Sequence, residues 1–97
     1  MRRLRIALLA AAHVHAPAYL SLLAADPGVE LIGLWDEDPT LAHERATAAG
    51  TTAYPSVDAL LAARPDGVVI AGVNRDHRPL AERAAAAGVA ILCEKPL

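Results

Sequence analysis

Ninety-seven residues carrying 55% hydrophobic and 21% charged side chains make a chain that folds as one small domain and exclude a disordered one. A formal charge of −2, with Arg2, Arg3 and Arg5 clustered and the other basic residues scattered, gives no basic footprint and excludes a nucleic-acid partner. No run approaches the ~18 apolar residues of a membrane span. A single cysteine, Cys93, excludes an internal disulfide and fits a reducing, cytoplasmic setting.

In chain order, "LRIALLA" (4–10) is an apolar run interrupted only by Arg5 near its start, the pattern of a strand buried on both faces. A helix is predicted over 17–25, stopped by Asp26-Pro27-Gly28. "VELIGLW" (29–35) is the second strand, followed by the acidic group Asp36-Glu37-Asp38. Asp38 with Pro39 behind it predicts a capped helix running to about residue 49, with Gly50 as its C-cap. "TTAY" (51–54) reads as a short third strand, and Ser56 caps a short helix that ends at Pro65-Asp66-Gly67. "GVVIAGV" (67–73) is the fourth strand, 76–79 open the next helix, Gly88 closes it, and "VAILC" (89–93) is the fifth strand.

Strand and helix therefore alternate, with strands that are continuously apolar past Arg5 and Glu30 rather than apolar at every second residue. That pattern predicts an α/β fold with a doubly wound, Rossmann-like parallel sheet of five strands, in the order β-α-β-α-β-α-β-α-β. Residues 1–97 form one domain in this reading, without an internal boundary.

Ligands of such sheets bind outside the carboxyl ends of the strands. Asp36 stands just past the second strand, where a dinucleotide fold places an acid on the adenosine ribose. A carboxylate there accepts from both ribose hydroxyls and repels a 2′-phosphate. Asp38 is read instead as a helix cap. The first turn lacks the glycines of a phosphate-binding fingerprint: Ala10, Ala12 and His15 occupy the three glycine places. A Cβ at those places crowds phosphate oxygens, whereas His15 and the following helix N-terminus can donate to a pyrophosphate. His13 and His15 lack a third ligand nearby, so no metal is expected. Trp35 either lines an adenine pocket or fills the core, and Tyr19, Tyr54 and Cys93 are packing residues. His77 follows the fourth strand near Asn74 and, on spacing alone, is a polar residue at the start of a helix. Lys95, between Glu94 and Pro96, suits either a solvated strand end or a group that hydrogen-bonds a substrate hydroxyl and moves its proton.

"PGVELIGLWDEDP", "GVVIAGVNRDH" and "GVAILCEKPL" together resemble the N-terminal domain of the glucose-fructose oxidoreductase / inositol dehydrogenase (Gfo/Idh/MocA) family. The resemblance covers nearly the whole chain, and its most specific element is Glu94-Lys95-Pro96, seventeen residues after His77. It implies an NAD- or NADP-dependent oxidoreductase acting on a sugar, polyol or related compound. By the same resemblance Asp36 binds the adenosine ribose, and Asn74 and His77 border the nicotinamide half. Glu94 and Pro96 flank Lys95, which reaches the nicotinamide ribose and substrate as the catalytic residue. Val73 stands where the family often has proline. The resemblance further implies that these residues are the incomplete front part of a longer enzyme, homo-oligomeric in its full-length form. Its remaining catalytic residues would lie in a second, C-terminal domain, so the isolated chain is not expected to turn over. The glycine-free first turn supports an alternative, a non-catalytic Rossmann-like module that binds a ligand or a protein.

Overall fold

A computed structural model describes residues 3–9, 16–70 and 74–93. Strands β1 (Leu4–Leu9), β2 (Val29–Trp35), β3 (Gly67–Ile70) and β4 (Ala90–Cys93) alternate with helices α1 (Ala16–Ala25), α2 (Pro39–Ala49), α3 (Val57–Ala62) and α4 (Asn74–Ala86). All strand pairs are parallel, in the order β2-β1-β3-β4. The chain thus winds outward from β1 in both directions, as the apolar runs predict.

Those runs are explained by a core on each side of the sheet. Leu8 and Val69 meet Leu20 of α1 and Ala42 and Ala46 of α2 on one face. Ala7, Leu9, Val68 and Ile70 meet Leu60 of α3 and Leu80 of α4 on the other. Neighbouring residues in one strand therefore enter opposite cores, and neither can be polar. On the α1 side, the amino ends of β1 and β3 border an apolar groove of about 280 Å³ that reaches Leu4, Ile6, Leu23 and Ala90. Leu4 at its mouth is exposed.

The helix boundaries follow from local chemistry. Asp38 Oδ1 accepts from the backbone N–H groups of Thr40 and Leu41, with Pro39 in the first turn. Gly50 ends α2 at φ 68°, a left-handed conformation that costs glycine little. Ser56 Oγ accepts from Ala59 N–H at the start of α3.

Two expectations need correction. "TTAY" does not form a strand: it contributes one isolated parallel bridge, Ala53 to Leu34, so the described sheet has four strands rather than five. Leu34 N–H donates to the Thr52 carbonyl and Tyr54 N–H to the Leu34 carbonyl, and pairing stops there. The Gly50 turn lies just before this stretch, and Pro55, without an N–H, lies just after it. The stretch still lies outside β2, so the strand order reads as a five-stranded layer with a vestigial edge. The second correction concerns α4, which begins at Asn74 and not at 76, so that His77 lies one turn into the helix.

Strand β2 contains an irregularity that determines what its end presents. Ile6 pairs with Leu31 but Ala7 pairs with Gly33, which leaves Ile32 as an extra residue. Ile32 and Leu34, two apart, consequently enter opposite cores, and Trp35 packs on the α3 side with Ile32. A regular strand would have put Ile32 and Leu34 on one face.

Candidate functional site

The site is built from the carboxyl end of β2. Strand pairing with β1 carries the chain to Trp35, and the next residue, Asp36, is 5% exposed. It is the one buried charged side chain among the described residues. A carboxylate loses several kcal/mol of hydration on burial unless donors replace the water, by an order-of-magnitude argument. One such donor is the backbone N–H of Asp38, 2.9 Å from Asp36 Oδ2. Asp38 is itself held by its two bonds to the first turn of α2, so the end of β2, the acid and the helix start form one braced turn.

Beside Asp36 lies an open cleft of about 380 Å³, walled by Trp35, Pro39, His43, Tyr54 and Pro55. Tyr54 is brought there by the bridge that its own stretch makes with Leu34. The sequence reading did not anticipate His43 or Pro55 in this wall. The only signal for His43 is its helical spacing of four from Pro39, which places both on one side of α2. Trp35 both packs against the α3-side core and borders the cleft, so the two readings of that residue are compatible.

Asn74 is the first residue of α4 and His77 falls in its first turn, the helix that follows β3. Strand order puts β3 beside β1, so α4 begins at the same edge of the sheet that carries Asp36. Ala10, Ala12, His15, Glu94, Lys95 and Pro96 lie outside the described residues. No group of three His, Cys, Asp or Glu among the described residues converges as a metal site. None of the described helices is long and apolar enough to cross a membrane.

A parallel sheet wound both ways from β1, with an acid just past β2, is the arrangement of a dinucleotide-binding fold. Comparison with known proteins agrees. Residues 4–97 match the description "oxidoreductase family, NAD-binding Rossmann fold". The chain belongs to the Gfo/Idh/MocA family. It is 45% identical over 67 residues to the UDP-N-acetylglucosamine 3-dehydrogenase of Acidithiobacillus ferrooxidans, a stretch that covers 69% of this chain and 21% of that protein. The solved structure of that dehydrogenase superposes with a TM-score of 0.87 at 36% identity, covering 99% of this chain and 30% of the other. GenD2 from gentamicin A biosynthesis, in complex with NAD, gives 0.90 at 32% identity over 100% of this chain and 28% of its own. A myo-inositol dehydrogenase from Corynebacterium glutamicum gives 0.84 at 36% identity, over 97% of this chain and 28% of its own. The chain thus spans less than a third of the length of these relatives. It is an NAD-binding Rossmann-fold domain of the Gfo/Idh/MocA oxidoreductases.

Proposed function

We propose that this domain takes NAD in preference to NADP, with Asp36 on the adenosine ribose, and serves an enzyme that oxidises a carbinol carbon of a sugar, polyol or related compound. The observation that carries the reading is the buried Asp36 at the carboxyl end of β2, braced by the N–H of Asp38. A carboxylate there suits the paired ribose hydroxyls as hydrogen-bond acceptor, and its charge opposes a 2′-phosphate. The names of the relatives, a nucleotide-sugar dehydrogenase and an inositol dehydrogenase, support the substrate class.

Bound nicotinamide supplies the acceptor for the hydride that leaves the carbinol carbon. In this reading Asn74 and His77, at the start of α4, border the nicotinamide half. Ala10, Ala12 and His15 face the pyrophosphate, with His15 as a side-chain donor that the glycine-free turn otherwise lacks. Lys95 hydrogen-bonds the substrate hydroxyl and helps move its proton as the hydride departs, flanked by Glu94 and Pro96. The domain works in the cytoplasm within a homo-oligomer of family-length chains.

Titration calorimetry of the 97-residue chain with NAD+ and NADP+ tests the cofactor assignment. Tighter binding of NAD+ is expected, and equal or tighter binding of NADP+ would overturn it. The glycine-free first turn favours a second reading, a Rossmann module bound to some other ligand or to a protein. Failure of both dinucleotides to bind would put that reading first.

A further inference from the structure

The carboxylate of Asp36 is held from one side by a residue that has a second engagement of its own. Asp38 donates its N–H to Asp36 Oδ2 at 2.9 Å, while its Oδ1 accepts from Thr40 N–H at 3.0 Å and Leu41 N–H at 3.2 Å. Its carbonyl accepts from Ala42 N–H at 2.9 Å, the first intrahelical bond of α2. With φ −93° and ψ 105° and Pro39 next in the chain, the Asp38 backbone is set by the cap, and the direction of its N–H is set with it. The Asp38 side chain itself is exposed.

We infer that Asp38 is a positioning residue for cofactor selectivity: its cap of α2 aims the Asp36 carboxylate, and through it the discrimination between NAD and NADP. This rests on the proposed role of Asp36 at the ribose. Charge repulsion falls with distance and a hydrogen bond to a diol depends on direction, so a carboxylate free to swing loses part of both. A cap that served only helix stability would affect the melting temperature and leave the selectivity unchanged.

The test measures NADH and NADPH affinities and melting temperatures for the whole chain and for Asp38→Ala, Asp38→Asn and Asp36→Asn. Asparagine caps as well as aspartate but carries no charge. The NADH-over-NADPH affinity ratio is expected to fall severalfold in Asp38→Ala, which keeps the backbone N–H but no longer fixes its direction, with about tenfold, the scale of one whole hydrogen bond to a charged group, as the ceiling. Asp38→Asn is expected to keep the parent ratio. Asp38→Gly, which costs the helix only a few tenths of a kcal/mol relative to the natural cap yet frees the turn, stands in if the alanine variant does not fold. An unchanged ratio in Asp38→Ala or Asp38→Gly would overturn the inference. So would a loss in Asp38→Asn equal to that in Asp38→Ala, because charge and not positioning would then be responsible. If Asp36→Asn keeps the ratio, or the parent binds neither dinucleotide, the assignment of Asp36 fails and the inference falls with it.

Discussion

The ring of Tyr54 lies against the backbone of Gly33, closer than any side chain at position 33 would permit. A Cβ built on Gly33 would overlap the Tyr54 ring and stand 2.6 Å from the Thr52 carbonyl oxygen, and Gly33 has φ 153°, a conformation that residues with a Cβ rarely adopt. Glycine here serves the bulge in β2 and, through it, the wall of the cleft beside Asp36.

Gly33→Ala is therefore expected to lower stability by roughly 2–4 kcal/mol, since steric overlap and an unfavourable φ add. Urea denaturation measures it. Adding Tyr54→Ala should recover only part of the loss, because the Thr52 carbonyl stays in place. Full recovery would mean that the backbone conformation at Gly33 is not strained for alanine.

Asp36→Asn preserves an acceptor for the Asp38 N–H and removes the charge. The fold is expected to persist, with NAD+ affinity lowered about tenfold and NADP+ affinity raised. Circular dichroism and titration of both dinucleotides check the two halves. A tenfold loss for NAD+ without any gain for NADP+ would confine Asp36 to hydrogen bonding.

At the opposite end of the sheet, Asp66 joins β1 to the start of β3. Its Oδ2 accepts from Arg5 N–H at 2.8 Å, and its N–H donates to the Arg5 carbonyl at 2.7 Å. Its carbonyl accepts from Ala90 N–H. Asp66→Ala leaves the Arg5 N–H without that acceptor and should cost about 1–3 kcal/mol. Asp66→Asn should cost less, as its amide oxygen can still accept. Equal losses in the two variants, read from denaturation midpoints, would show that the charge dominates.

Gly50 is a cleaner case of conformation alone, since a Cβ there would meet nothing within 4 Å. Its φ of 68° predicts a loss of about 1–2 kcal/mol in Gly50→Ala. In a domain of this size each kcal/mol is worth about 4–8 °C in melting temperature. No change on calorimetry would mean that the end of α2 rearranges to accept alanine.

The local punctuation of this fold was legible residue by residue. Asp38, Pro39, Gly50 and Ser56 act within a few bonds of themselves, so their roles as caps survive any tertiary context. The apolar runs likewise imply a sheet covered on both sides. Asp66 was legible only as part of a helix stop, because its bond to Arg5 spans 61 positions and no local pattern records it. "TTAY" has strand composition, yet the turn before it and the proline after it leave room for one bridge.

From the chain alone came the alternation of strands and helices, the family, and the acid after the second strand, because each depends on residue type and short-range spacing. Only the folded molecule decided that Ile32 and Leu34 part to opposite cores, that Tyr54 settles on Gly33, and that the N–H of Asp38 holds Asp36. Those outcomes depend on strand register and on contacts between separately formed elements. A single extra residue in β2 reverses the facing of everything after it, and its effect is decided by pairing with β1.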